Sequence, residues 1–172
     1  MFIAHLPAGY LTTRLLLRRR RLPDGIGRRL LALGLVASVL PDLDLFYFYL
    51  IDARQTLHHE YWPHLPVFWA ALAAPLLGAA VWTRRLEALL AWLVFHLNIL
   101  LHLVLDSVVG HVLWFYPLSD RTVVLFDVPT VHGWWVWNFV LHWTFLFELA
   151  ICVAAAMLAL RRRLATAKAG DG

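Results

Sequence analysis

Residues 86–105 read LEALLAWLVFHLNILLHLVL, a run of 20 residues in which Glu87 is the one charged side chain. A membrane-crossing helix needs about 20 predominantly apolar residues, so this run predicts a transmembrane helix. The whole chain agrees, because it is 62% hydrophobic and 15% charged, with a mean hydropathy of +0.69. A soluble domain is about half apolar and a quarter charged. The composition therefore excludes a disordered chain and favours an integral membrane protein.

Other parts of the chain extend this prediction to an all-α, polytopic membrane protein with about four transmembrane helices. The three further predicted spans are Leu30–Ile51, Pro66–Trp82 and Phe139–Leu160. The apolar stretch Met1–Leu17 is too short to cross, so we expect an N-terminal re-entrant or half-spanning helix, with a surface-lying amphipathic stretch as the alternative. We expect residues 1–164 to form a single membrane-embedded helical domain and residues 165–172 a disordered tail.

The basic residues predict the orientation of these spans. Of the 15 Lys and Arg, only Arg54 and Arg121 lie in the connections after the first and third spans. Cytoplasmic connections carry the excess of Lys and Arg, so both termini should be cytoplasmic and residues 52–65 and 106–138 should face the periplasm of a bacterial inner membrane. The net charge of +4 then reflects topology and does not indicate nucleic-acid binding. Because the first apolar stretch precedes the Arg run, we expect no signal peptide.

Two motifs place ionisable side chains within predicted spans, where such groups are costly unless paired, hydrated or metal-bound. His102 and Asp106 are spaced i, i+4 and share a helix face, which suits two metal ligands or a buried hydrogen bond. Asp42 and Asp44 would point to opposite sides of a regular helix. Pro41 can open that turn, so that both carboxylates face one site. The alternative is one functional Asp, with the other capping a broken helix.

The densest cluster is His58-His59-Glu60-Tyr61-Trp62-Pro63-His64 in the first outer loop. Imidazoles combined with carboxylates suit zinc, manganese or iron. The alternative is a hydrated, titrating loop. Together the motifs predict a divalent metal site, most simply zinc, with these ligands: His5, Asp42, Asp44, His59, His64, His102 and Asp106. They outnumber the protein ligands of one catalytic zinc, so we expect two or more ions.

Such a site predicts hydrolytic chemistry. A water on the metal ionises near neutral pH and can attack phosphorus or a carbonyl carbon. Asp44 or Asp106 would act as general base. The expected partners are membrane lipids, and the expected substrate is a phospholipid or another phosphoester. His142 is a possible extra ligand and Glu148 a further candidate, and the sequence leaves open the roles of these residues and of His58, His111 and His132.

In their order along the chain, these motifs resemble those of a family of inner-membrane metal-dependent hydrolases, some induced by DNA damage. The matching residues are His5-Leu-Pro-Ala-Gly-Tyr, Leu40-Pro-Asp-Leu-Asp44, His59, His64, His102, Asp106 and Phe115-Tyr116-Pro117. The resemblance implies a helical membrane protein with a metal site, distantly similar to zinc-dependent phospholipase C and P1 nuclease. It also shows a departure, because the family commonly reads His-Arg-Gly-x-Thr-His where this chain has His59-Glu60-Tyr61-Trp62-Pro63-His64.

Two other functions remain open from the sequence. Histidines on spans, such as His102 and His142, also occur in bis-His haem cytochromes, although haem ligation needs no carboxylates. A membrane protein that binds or transports metal without chemistry would place ligands along a path across the bilayer. The predicted ligands instead gather in the outer half of the membrane, which favours the hydrolase.

Overall fold

The computed structural model describes residues 1, 3–20, 22, 23 and 25–170, and within these residues every regular element is a helix. An isolated bridge between Val112 and Val123 is the one β-type pairing in this part of the chain. The all-α class predicted from the sequence is thus confirmed. The α-helices are α1 (His5–Leu17), α2 (Ile26–Ala37), α3 (Asp44–Leu50), α4 (Pro66–Trp82), α5 (Leu86–Asp106), α6 (Trp135–Val140) and α7 (Phe145–Gly170). Three 3-10 turns, Pro41–Leu43, His58–Glu60 and Trp62–His64, lie between α2 and α4.

Helix α5 is the centre of the fold. It packs against α1, α2 and α4, and Leu90, Val94, Asn98 and His102 are buried along one stripe. Spacing of four residues keeps these side chains on one helix face. Helix α1 packs against α2, α5 and α7, so the N-terminal stretch is a packed helix. At about 20 Å, 13 residues of helix are too short to cross a bilayer.

The number of candidate spans is smaller than the sequence suggested. Among the described helices, α5 alone is long and apolar enough to cross a membrane, and α2 with the segment Pro41–Leu50 would add a second only if that bent pair is one span. Four transmembrane helices are therefore not supported. The first predicted span is broken by a bend of 53°, because Pro41 has no backbone N–H to continue the helix.

The other two predicted spans fall short for different reasons. Helix α4 has 17 residues, fewer than the about 20 that a membrane-crossing helix needs. Helix α7 begins at Phe145 rather than Phe139. Its uncharged run covers only residues 149–160, between Glu148 and Arg161. That run is about 18 Å long, against about 30 Å of hydrocarbon.

The C-terminal end also differs from the expectation of a disordered tail. Helix α7 continues through residues 165–170, which read ATAKAG, and alanine, half of this stretch, is the best helix former. The described residues do not include the last two of the predicted tail, 171 and 172. They also do not include Arg21 of the basic run.

Small residues let α1, α2 and α5 approach closely. Asn98 on α5 donates to Thr13 on α1 over 3.1 Å and to the Val94 carbonyl over 2.7 Å. A Cβ at Gly34 of α2 would overlap the Thr13 hydroxyl, and a Cβ at Gly9 of α1 would overlap Ser38. These contacts fix the ends of the three helices that carry His5, Ser38 and His102.

We expect Gly34→Ala to destabilise the protein by about 1–3 kcal/mol, because the added methyl overfills a closed three-helix contact. The effect would be measured by reversible unfolding in detergent. The matched control is Gly27→Ala on the same helix, where a Cβ meets no atom within 4 Å. Alanine is a better helix former than glycine, so the control should be neutral or slightly stabilising. Equal stability of the two variants would contradict the close packing.

A buried carboxylate on α7 holds the segment that precedes α1. Glu148 Oε2 accepts the backbone N–H of Ile3 over 2.5 Å and of Ala4 over 3.1 Å, and Glu148 is 3% exposed. Helix N-termini leave backbone N–H groups without helical partners and favour negative charge. Glu148 therefore positions the start of the helix that carries His5.

We expect Glu148→Gln to raise the rate of amide hydrogen exchange at Ile3 and Ala4 about tenfold, because hydrogen bonds to a charged acceptor are stronger than those to a neutral one. Mass spectrometry of the N-terminal peptide would measure the exchange. Glu87→Gln, at the exposed start of α5, is the matched control and should leave the exchange unchanged. Unaltered protection in Glu148→Gln would contradict the anchoring role.

Candidate metal centre

Two carboxylates reach the site through the break between α2 and α3. Pro41 begins a single 3-10 turn that ends at Leu43, and Asp44 starts α3. Asp42 Oδ1 lies 3.4 Å from His58 Nε2, and Asp44 Oδ2 lies 2.8 Å from His64 Nδ1. The opened turn thus brings both carboxylates to one cluster, as the sequence predicted from Pro41.

Helix α5 contributes His102 and Asp106, one turn apart. His102 Nε2 lies 2.9 Å from Asp106 Oδ2, and both side chains are almost fully buried. His102 Nδ1 lies 2.9 Å from the backbone carbonyl oxygen of Ser38. A carbonyl oxygen only accepts hydrogen bonds, so Nδ1 carries the proton, and in the neutral ring Nε2 presents its lone pair to the cluster.

Asp44 contacts two further imidazoles. Its Oδ2 accepts from Nδ1 of His64 over 2.8 Å, and its Oδ1 lies 3.0 Å from Nδ1 of His58. Carboxylates that contact the outer nitrogen of a ligating histidine orient the ring and fix its tautomer. Asp44 Oδ2 thus positions His64, whereas Asp44 Oδ1 and His58 Nδ1 make no well-aligned hydrogen bond. The expectation that Asp44 is itself a metal ligand stays a prediction.

The Nε2 atoms of His64 and His102 face each other across 3.3 Å. Nδ1 of His64 contacts Asp44, and Nδ1 of His102 contacts the Ser38 carbonyl. Lone pairs on the two Nε2 atoms would repel at this distance unless a proton or a cation lies between them. Asp106 Oδ2 lies 3.5 Å from His64 Nε2, is buried and makes no well-aligned hydrogen bond. Converging lone pairs around a buried, unsatisfied carboxylate oxygen fit a bound cation.

Two overlapping groups of side chains have the spacing of metal ligands. In each group the donor atoms lie within 4.8 Å of one another. The groups are His58, His59 and His64, and Asp42, His64, His102 and Asp106. His64 belongs to both. Their nitrogen and oxygen donors are those preferred by zinc, manganese and iron(II).

The N-terminal segment closes the site from the side of α1. His5 Nε2 lies 3.0 Å from Asp106 Oδ1, and the His5 ring stacks on His102 with centroids 4.0 Å apart. The amino group of Met1 lies 2.6 Å from the same oxygen of Asp106. Asp106 therefore faces Met1 and His5 with Oδ1, and His59, His64 and His102 with Oδ2.

His59 lies at the edge of the cluster, where a glycine leaves room for it. Its Nε2 is 3.8 Å from Asp106 Oδ2. A Cβ at Gly110, just after α5, would overlap the His59 ring. The short turn after α5 thus needs glycine for this imidazole to reach the carboxylate.

The pKa values of the loop histidines diverge because burial and carboxylates act on them differently. Burial opposes the charge of His64, but contacts with carboxylates, Asp106 foremost, outweigh it and raise its pKa to about 11. Burial dominates at His59 and lowers its pKa to about 3. The carboxylates thus keep a proton on His64 at neutral pH. Histidine binds metals in its neutral form, so a metal ion would displace that proton.

All seven predicted ligands converge on one site, although His5 and Asp44 lie outside the two donor groups. His58 was not predicted as a ligand, and its signal in the sequence was its position next to His59. Other histidines lie outside the donor groups. His111 contacts Thr122 and Asp127 and lines a cavity beside the cluster, and His142 contacts Thr144. The backbone of His132 contacts Asn138.

Comparison with known proteins places this helical architecture in a family. A family model described as YdjM inner membrane protein matches residues 1–168. No curated protein and no solved structure matches the chain. The family match spans nearly all of the chain and supports its localisation in the inner membrane. The chain with the His and Asp cluster described above belongs to the YdjM inner membrane protein family.

Proposed function

We propose that this protein is a membrane-embedded, metal-dependent hydrolase that cleaves a phosphoester. The observation that carries the proposal is the pair of facing Nε2 atoms of His64 and His102, 3.3 Å apart beside the carboxylates of Asp42 and Asp106. Mixed imidazole and carboxylate sites at an open cavity are typical of catalytic metal centres, whereas structural zinc sites are closed. The cavity that meets this cluster supports the same interpretation.

The residues divide into ligands and positioning groups. Asp42, His64, His102 and Asp106 would hold one ion, and His58 and His59 would complete a second group with His64. A divalent metal bound there supplies Lewis-acid chemistry and lowers the pKa of a water molecule. Asp44 and the Ser38 carbonyl hold the rings of His64 and His102 in the orientation that ligation needs.

Proton transfer is best assigned to Asp42. Its side chain is 28% exposed, whereas those of Asp44 and Asp106 are 5% and 2% exposed. A general base must reach the water whose proton it takes. Asp42 faces the histidines with Oδ1, which leaves Oδ2 to take up the proton, and it lines the cavity. The sequence suggested Asp44 or Asp106 for this role, but in the fold both oxygens of each carboxylate face other groups of the site.

The orientation expected from the basic residues is part of the proposal. The cluster includes His58, His59 and His64 from the loop that carries few basic residues. From the positive-inside rule we infer that the cluster lies on the periplasmic side. Both termini lie in the cytoplasm only if the chain crosses the membrane an even number of times.

We expect the purified wild-type protein to contain about one to two zinc, manganese or iron ions per chain, and the variant Asp42→Ala/His102→Ala to contain none. Metal analysis by mass spectrometry would measure this. The matched control is His111→Ala/Asp127→Ala, which removes a His–Asp pair of similar spacing, 3.2 Å, at the surface, and should leave the metal content unchanged.

Hydrolysis of bis(4-nitrophenyl) phosphate by the metal-loaded protein should be abolished by a chelator and restored by the metal. A wild-type protein that takes up no stoichiometric metal would overturn the proposal. A Soret band would instead identify a haem protein, and metal uptake into proteoliposomes without hydrolysis would identify a transporter.

We expect Asp44→Asn to weaken metal affinity about 10- to 100-fold while leaving the number of ions at saturation unchanged, because it loosens the orientation of two rings and removes no ligand. Competition with a chelator would give the affinity. Asp52→Asn, in the same outer loop where Asp52 accepts the N–H groups of Gln55 and Thr56, is the control. A lower saturating metal content in Asp44→Asn would make Asp44 a direct ligand.

A further inference from the structure

A cavity of about 780 Å³ opens beside the His and Asp cluster. At one end it is lined by Asp42, His58, His59 and Asp106, which belong to the two donor groups. A volume of this order is that of a small-molecule binding site rather than of a single ordered water. A ligand in the cavity would therefore touch the residues proposed to hold the metal.

The rest of the cavity wall is mostly apolar. Leu45 and Phe48 line it from α3, Val109 from the turn after α5, and Trp135 and Phe139 from α6. Apolar walls favour ligands that bury apolar surface, because transfer of such surface out of water is favourable. The ligand should therefore combine a group that meets the cluster with a sizeable apolar part.

Arg54 supplies a positive charge at the same cavity. Among the described lining residues it is the one Arg or Lys. Ala53 and Arg54 adopt left-handed backbone conformations, with φ of 48° and 65°, and turn the chain back after α3. Guanidinium groups bind phosphate oxygens with paired hydrogen bonds. The polar end of the ligand should therefore carry an anionic phosphate.

Exposed apolar side chains lie near Arg54 in the sequence. Leu50, Ile51 and Leu57 are 78%, 70% and 63% exposed, and they flank Arg54 in the sequence. Contiguous exposed apolar residues mark contact with a membrane or a partner. For a protein of the inner membrane, such side chains are suited to the bilayer, which is also a source of amphiphilic ligands.

We propose that this cavity binds an amphiphile with an anionic phosphate head group, with the head between Arg54 and the cluster and the apolar chain along Phe48, Val109 and Phe139. The inference rests on the proposed hydrolase function and specifies its substrate class. A second cavity of about 750 Å³, on the side of Tyr47, Trp62 and Phe68, has no Arg or Lys among its described lining residues. The cavity with Arg54 is therefore the better match for a phosphate.

The test compares two non-hydrolysable ligands, dodecylphosphonate and methylphosphonate, binding to the metal-loaded protein in amphipol by calorimetry. We expect dodecylphosphonate to bind at least about 100-fold more tightly, because each buried methylene adds severalfold. Val109→Trp, which fills the cavity, should abolish this difference without changing metal content. Val131→Trp, at a loop residue that is 74% exposed, is the matched control.

The charge is tested separately. Arg54→Gln should weaken the binding of both phosphonates about tenfold, whereas Arg121→Gln, in the other outer connection, should have no effect. Equal affinity for the two phosphonates, or an unchanged difference in Val109→Trp, would overturn the amphiphile proposal while the metal site stands. Equally tight binding of dodecyltrimethylammonium would also overturn it. Failure of the hydrolase proposal would instead be seen in the metal analysis, as a wild-type protein that takes up no metal.

Discussion

The break in the backbone at Pro41 is the constraint on which the site depends. Proline cannot donate the hydrogen bond that would continue α2, so the chain makes one 3-10 turn and sets off again in α3 at 53° to its former direction. The break turns Asp42 and Asp44 to one side and leaves the carbonyl of Ser38 free to accept from His102. An unbroken helix would give the span expected from the hydrophobicity but would separate the two carboxylates.

The electrostatics of the site follow from this concentration of carboxylates. Asp42, Asp44 and Asp106 surround histidines in a largely buried volume, where unpaired charges are costly. Burial alone would keep the imidazoles neutral, as it does at His59. At His64 the contacts with the carboxylates outweigh burial and raise the pKa to about 11. The same concentration of carboxylates explains why a divalent cation suits the site.

Local rules predicted the features of the site that depend on residues close in sequence. The pairing of His102 with Asp106 follows from helical spacing, and the shared direction of Asp42 and Asp44 follows from Pro41. The anchoring role of Glu148 could not be predicted, because it contacts residues about 145 positions away in the chain. The number of spans was overestimated since apolar composition does not show where a helix bends or where charges shorten its apolar run.

The membership of His64 in both donor groups has a consequence for stoichiometry. Its Nδ1 is engaged by Asp44, so its Nε2 offers a single lone pair to two groups of ligands. An ion in one group deprives the other of a donor, and the affinity for a second ion falls. By thermodynamic linkage this coupling is reciprocal. The first ion would therefore bind much more tightly than the second. With this negative cooperativity, the number of bound ions would rise gradually from one to two as the free metal concentration increases.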